Sequence, residues 1–375
     1  MLHVTSGLGT GGAELMLERL IASADPRLVA SAVLSLEGRS EIGDRIAASG
    51  SPVWTANLNG WRRLSDIPFS LRKAIAAWKP DVIQGWMYHG NVAATLLSHS
   101  LGRRVPVVWS IRQSLYDPAK EKPGTQFVIW VGRLLSGTPS FTIYNSREAA
   151  ESHARLGFSQ KRQLMIPNGF DCDTFVPNPS ARARIRLELA IPENDLVIGH
   201  VARYHPIKGH ELFLEAAALV VERFPSVTFV LAGLGVDSTN EKLNAAIRHF
   251  RLGSRVRLLG LRTDIPGLTA AFDIAVVSSH AESFSNVVGE AMACEVPVVA
   301  TDVGDSASII GETGIVSPRG DAPALASGML SLTALAKPER QRLGRDARIR
   351  IHTKYGLDQI AQRYWEVYSL TATQP

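Results

Sequence analysis

The chain has 375 residues, 45% of them hydrophobic and 20% charged. This composition fits about two folded domains and excludes a disordered protein. Net charge is +5, but residues 1–170 hold nineteen Lys/Arg against twelve Asp/Glu, while the remainder is close to −2.

The basic half suits an anionic membrane surface or a phosphate-bearing acceptor. Its cations are scattered and carry no nucleic-acid-binding motif, so no nucleic-acid partner is expected. Cys172 and Cys294 lie far apart, outside any Cys-x-x-Cys or Cys/His spacing. They predict reduced thiols in a cytoplasmic protein and argue against a structural zinc site. The first residues show no basic segment leading into a long apolar run, and no apolar run approaches ~18 residues, so neither a secretory signal nor a membrane span is expected.

Short apolar runs alternate with amphipathic stretches along the whole chain. In the first half the expected strands are Leu2–Ser6, Val29–Leu36, Val53–Trp54, Asp81–Gln84, Val105–Ser110, Phe141–Asn145 and Gln163–Pro167. In the second half they are Leu196–Ala202, Val227–Ala232, Val256–Gly260, Asp273–Ser278, Pro297–Thr301 and Gly314–Val316. Runs this short, bounded by Gly, Pro or Asp, read as buried parallel strands, and strand–helix alternation predicts an α/β fold with doubly wound sheets.

Gly7-Leu8-Gly9-Thr10-Gly11-Gly12 follows the first strand and opens a helix. Glycine lets backbone approach an anion closely, and a helix N-terminus supplies N–H donors. The loop, with Glu37 at the end of the second strand, also satisfies a dinucleotide fingerprint, so an NAD-dependent oxidoreductase is one reading of this segment. Pro167-Asn168-Gly169-Phe170-Asp171, then Pro177-Asn178-Pro179-Ser180, marks a linker between two domains. Asp171-Cys172-Asp173 resembles a metal-binding Asp-x-Asp but falls in this linker and is read as structural.

Beyond the linker, Arg203 and Lys208 follow a strand, where two cations can neutralise a diphosphate without a metal. The next constellation is Glu282-Ser283-Phe284-Ser285-Asn286, with Ser285 as the expected N-cap of a helix that carries Glu290. A carboxylate accepts two hydrogen bonds at once and so suits adjacent sugar hydroxyls. The final stretch, Leu357–Ser369, is amphipathic with Ile360, Tyr364, Val367 and Tyr368 on one face.

Arg203…Lys208-Gly209, Glu282-Ser283-Phe284…Asn286…Glu290-Ala291-Met292-Ala293 and Pro297–Gly304 together resemble family 4 of the retaining glycosyltransferases. Gly11-Gly12-Ala13-Glu14 and Ile166-Pro167-Asn168-Gly169 resemble the same family. The resemblance implies the GT-B fold, two Rossmann-like domains facing across a cleft, with a C-terminal helix packing back on the first. It divides the chain into an acceptor-binding domain over 1–168, a nucleotide-sugar-binding domain over 169–352 and a returning helix over 353–375. It implies that Arg203 and Lys208 contact the diphosphate, Glu290 the ribose and Glu282 the donor sugar. Gly11, Gly12, Gly260, Ser283, Phe284, Ser285 and Asn286 complete the donor site. No metal or other cofactor is expected.

Many relatives place a His where this sequence has Arg112; His89, in Tyr88-His89-Gly90-Asn91, is a second candidate, and both are carried as catalytic candidates. The expected partners are a nucleotide-sugar donor, a glycan or lipid-linked acceptor and the inner membrane surface. Trp54, Trp61, Trp86, Tyr88, Trp109, Tyr116 and Trp130 are candidates for touching a sugar face or a lipid, or for core and cleft wall. UDP and GDP stay equally open, because the loop after Gly260 would read the base through backbone groups. A GT-B phosphorylase or epimerase and a non-catalytic nucleotide-sugar-binding module are the other readings.

Overall fold

A computed structural model describes residues 1–9, 11–25, 29–58, 67–102, 105–192 and 195–373. The chain divides into two compact units, 1–169 with 357–375, and 170–356. The second division lies a few residues beyond the boundary expected at 352, because the preceding helix continues to Tyr355 and stops only at Gly356.

The first unit holds a parallel sheet of β1 (Leu2–Thr5), β2 (Ala32–Ser35), β3 (Val53–Thr55), β4 (Ile83–Trp86), β5 (Val107–Ile111), β6 (Phe141–Tyr144) and β7 (Gln163–Met165), in the order β3-β2-β1-β4-β5-β6-β7. Its helices are α1 (Gly12–Ala22), α2 (Glu41–Ala48), α3 (Phe69–Trp78), α4 (Met87–Ser100), α5 (Pro123–Leu135) and α6 (Arg147–Arg155). The second unit holds α7 (Pro179–Glu188), β8 (Leu196–Val201), α8 (His210–Arg223), β9 (Val227–Ala232), α9 (Glu241–His249), β10 (Val256–Leu258) and α10 (Ile265–Ala270). It continues with β11 (Ile274–Val277), α11 (Asn286–Ala293), β12 (Val298–Thr301), α12 (Ser306–Ile310), β13 (Ile315–Ser317), α13 (Ala322–Ala334) and α14 (Lys337–Tyr355). Its parallel sheet runs β10-β9-β8-β11-β12-β13.

The strands form where the apolar runs predict, because central strands of such sheets are covered on both faces; β1, β4, β5, β9 and β11 are buried at every residue. Helix starts are set by local side chains. Ser146 accepts from Ala149 N at 3.0 Å, Asn178 from Ala181 N at 2.9 Å and Asp321 from Ala324 N at 2.8 Å.

The last helix, α15 (Leu357–Ala372), belongs to the first unit. Ile360, Ala361, Tyr364, Val367 and Tyr368 join the core formed by Leu17, Leu20, Val33 and Val108. Trp86 stacks on Tyr364 with centroids 6.3 Å apart and 18° between planes. The aromatic candidates divide accordingly. Trp86, Tyr88 and Trp109 are core residues, since they stand on or beside central strands, and the Trp109 indole N–H donates to Thr95 Oγ1 at 3.0 Å. Trp54 is half-buried, whereas Tyr116 and Trp130 are exposed. Trp61 lies outside the described residues.

Candidate functional site

Both sheets reverse their winding direction once, between β1 and β4 in the first unit and between β8 and β11 in the second. In open α/β sheets ligands bind beyond the carboxyl ends of the strands at this reversal. Gly11, Gly12 and His89 follow β1 and β4, and Arg203, Lys208 and Glu282 follow β8 and β11, whereas Arg112 follows β5 and Gly260 follows β10.

In the second unit, the loops after β8, β11 and β12 are sewn together. Ser278 Oγ donates to the carbonyls of Lys208 and Gly209 at 3.1 and 2.9 Å, and His280 N donates to Ile207 O at 2.7 Å. Thr301 Oγ1 donates to Ser279 O at 2.6 Å, and Asp305 N to Ser283 O at 3.2 Å. Two glycines make this possible. Gly209 has φ +64°, and a Cβ there would collide with Ser278 O. Gly304 has φ +55°, and a Cβ there would lie 2.6 Å from Glu282 O. Side chains other than hydrogen rarely adopt that backbone region.

The loops bring Lys208 and Glu282 into direct contact. Lys208 Nζ lies 2.5 Å from Glu282 Oε1, which also accepts from Ser279 Oγ at 2.7 Å. Both side chains are largely shielded, 24% and 14% exposed. Arg203, from the loop that carries Lys208, is exposed and makes no ion pair among the described residues. These loops therefore hold one ion-paired cation, one exposed cation and one carboxylate.

Helix α11 starts after Ser285, as the sequence predicts, but the Ser285 hydroxyl does not cap it; the residue is buried in extended backbone. Phe284 differs from expectation. Its ring stacks on Phe170 at 5.9 Å and packs near Tyr355, so it anchors the loop in the core. Glu290 is half-buried one turn into α11, and burial, then the Glu290 charge, push the Cys294 thiol up to about 12. Gly260, at φ +64°, accepts from Gly233 N and donates to Val236 O, both at 2.8 Å.

Two features escaped the sequence reading. The loop Gly233-Leu234-Gly235 after β9 braces the Arg203 loop, with Tyr204 N donating to Leu234 O at 2.8 Å. A glycine pair after a strand was the available signal. Beneath the same loop, His200 and His210 pack edge to face at 4.8 Å, and His210 also packs on Tyr204 at 5.2 Å. Burial lowers the pKa of His200 to about 3 and that of His210 to about 4, so both are neutral beside Lys208. Nothing in their spacing separates them from ordinary core residues.

In the first unit, Gly11 is the N-cap of α1 and Gly12 its first residue. The Glu14 carboxylate lies against Gly11, closer than a Cβ there would permit. Burial first, then the charge of Glu37, raise the Glu14 pKa. His89 occupies the first turn of α4, half-buried, with its pKa lowered by burial. It follows Met87, whose φ of +60° is strained for a residue with a side chain and sits at the β1/β4 reversal. Sequence reasoning had no signal for that strain.

Arg112, the other catalytic candidate of this unit, follows β5 and is engaged within the first unit. It is 8% exposed, its guanidinium donates to the Tyr364 hydroxyl and to Asn168 Oδ1, and it lies 5.6 Å over the Trp86 ring. These contacts tie α15 and the linker to the sheet. Asp171 is likewise engaged locally, accepting from Asp173 N, Thr174 N and Thr174 Oγ1 at 3.0, 2.8 and 2.7 Å.

Two family models match the chain in tandem, Glycosyltransferase Family 4 over residues 10–174 and Glycosyl transferases group 1 over residues 195–334. The chain belongs to the group 1, family 4 glycosyltransferases. This glycosyltransferase is 27% identical over 316 residues to EpsF of Bacillus subtilis strain 168, a protein assigned as a glycosyltransferase, covering 80% of this chain and 79% of that one. It is 28% identical to a D-inositol 3-phosphate glycosyltransferase of Pseudarthrobacter chlorophenolicus over 63% of this chain and 58% of that one. Among solved structures, Anabaena Alr3699/HepE in complex with UDP superposes with a TM-score of 0.84 at 24% identity, over 98% of this chain and 99% of that one. The same protein in complex with UDP-glucose superposes with a TM-score of 0.79 at 25% identity and the same coverage. The fold is GT-B.

Proposed function

We propose that this glycosyltransferase moves a sugar from a nucleotide-diphosphate sugar to a glycan or lipid-linked acceptor in cell-surface polysaccharide synthesis, with retention at the anomeric carbon and without a metal. The observation that carries the donor half is the Lys208–Glu282 pair at the β8/β11 reversal, with Arg203 beside it. HepE, bound to UDP and to UDP-glucose, supports a uridine donor.

Arg203, Lys208 and the N-terminal end of α11 stabilise the departing diphosphate. Glu282 orients the Lys208 ammonium and accepts from sugar hydroxyls, and Glu290 accepts from the ribose. The bond between the anomeric carbon and the phosphate oxygen breaks first. The acceptor oxygen then bonds to that carbon on the same face, and its proton passes to a departing phosphate oxygen. No residue is required as a covalent nucleophile. The cations supply the charge neutralisation that a divalent metal would otherwise provide.

The acceptor half belongs to the first unit. There α5 turns Phe127, Trp130 and Leu134 outwards, 44%, 51% and 59% exposed, with Lys120, Lys122 and Arg133 close in sequence. An apolar stripe with an exposed Trp and flanking cations suits insertion at the headgroup level of a bilayer. Among the described residues no helix is long and apolar enough to cross a membrane. A peripheral position on the inner membrane face fits both features.

The test is transfer from UDP-glucose and its analogues in EDTA, with the product anomer read by NMR. An axial donor linkage that stays axial supports the reading. Inversion, or dependence on a divalent cation, sinks it.

A further inference from the structure

The second unit has a cavity of about 400 Å³ at the amino ends of its strands, the end of the sheet opposite to Lys208 and Glu282. It opens where β11 and β12 begin, beside Asp273 and Pro297, with Phe272, Cys294 and Val296 as its apolar floor. Arg182, Lys337, Arg340 and Arg345 line it.

Arg340 is the telling residue. It is 7% exposed, yet no carboxylate lies within ion-pair distance of it among the described residues. Its Nη1 donates to the carbonyls of Leu332 and Leu335 at 3.4 and 3.0 Å, and its Nε and Nη2 have no hydrogen-bond partner among the described residues. Asp273, the nearest acid inside, is already taken. It accepts from Arg182 Nη2 at 2.9 Å and from Val197 N at 2.8 Å, and Arg186 Nη1 stands 3.8 Å away. Lys337 and Arg345 are exposed at the rim and make no ion pair among the described residues. Glu295 is the other carboxylate on the lining, so the cations outnumber the acids.

The Arg340 guanidinium is held by two carbonyls rather than by a carboxylate, and an oxyanion is the group that fits its free edge. The 19-residue helix α14 also begins here, at Lys337, and directs its positive end towards the cavity. We propose that this cavity binds a phosphate-class oxyanion, either inorganic phosphate or the phosphoryl group of a small metabolite, at a site separate from the donor site.

The test is a calorimetric and thermal-shift titration of the full chain with inorganic phosphate and, separately, with glycerol 3-phosphate. Wild type and Lys208→Ala should bind alike, Lys337→Glu should bind at least about tenfold more weakly, and Arg340→Gln should lose binding. Lys337 is exposed, so its variant tests the site even if Arg340→Gln folds poorly. Tighter binding of phosphate assigns the site to the free ion, tighter binding of glycerol 3-phosphate assigns it to a metabolite, and both support it. Absence of binding to wild type, loss of binding in Lys208→Ala, or unchanged binding in Lys337→Glu overturns it.

Discussion

Glu282 Oε1 receives both the Lys208 ammonium, at 2.5 Å, and the Ser279 hydroxyl, at 2.7 Å, so the carboxylate and the cation are oriented as one unit. Groups that act together respond non-additively to removal. Lys208→Met and Glu282→Gln should each lower kcat/KM by about a hundredfold, in line with ~1.5–3 kcal/mol for a charged hydrogen bond. The double variant should be little worse than either single one. A double-mutant cycle on kcat/KM checks this; losses that multiply would show that the two side chains work independently.

Arg112 should matter for stability rather than for chemistry. Its guanidinium is buried under α15, bonded to Tyr364 and Asn168 and seated over Trp86. Tyr364→Phe removes one charged hydrogen bond and should cost about 1.5–3 kcal/mol. Denaturant melts should record that loss while kcat stays within about twofold. A lowered kcat with an unchanged melt would return Arg112 to the reacting centre.

Acid should weaken the second unit in a defined window. His200 and His210 have pKa values lowered to about 3 and about 4, chiefly by burial. In the unfolded chain they titrate near 6.5. Between these values the unfolded chain takes up protons that the folded chain refuses. Stability is therefore complete above about pH 6.5 and falls as pH drops towards the folded values, by roughly 1.4 kcal/mol per pH unit for each group. His200→Leu should reduce that slope by about one proton in denaturation series between pH 7 and pH 4. An unchanged slope would contradict a buried neutral His200.

Phe127 and Trp130 pack on each other at 5.7 Å on the exposed side of α5. If this stripe enters a bilayer, Trp130→Ser with Phe127→Ser should lower sedimentation with anionic vesicles by about tenfold or more. Activity on a short water-soluble acceptor should stay unchanged. Equal vesicle binding by the double variant and the wild type would remove α5 from the membrane face.

The strands and their parallel arrangement were legible because buried parallel strands write short, mostly apolar runs, as in Val227–Ala232 and Val298–Thr301. The positions of Arg203, Lys208, Glu282 and Ser285 at strand ends and a helix start were legible for the same reason. Spacing does not reveal what a side chain touches. Phe284 sits among site residues in sequence, but its ring turns to Phe170, and Arg112 meets Tyr364 across 252 positions of chain. The neutral histidines under Lys208 and the strain at Met87 depend on burial and backbone angles that no residue pattern records.

The most direct test of the central claim is a thermal-shift panel with UDP, GDP, ADP and NAD, each with and without EDTA, on the wild type and on Glu290→Ala. A ligand that binds the folded state raises the midpoint by mass action. A nucleotide-diphosphate donor site predicts stabilisation by one nucleoside diphosphate, indifferent to EDTA and weakened about ten- to a hundredfold in affinity by Glu290→Ala. Stabilisation by NAD alone, or nucleotide binding that Glu290→Ala leaves untouched, would contradict it.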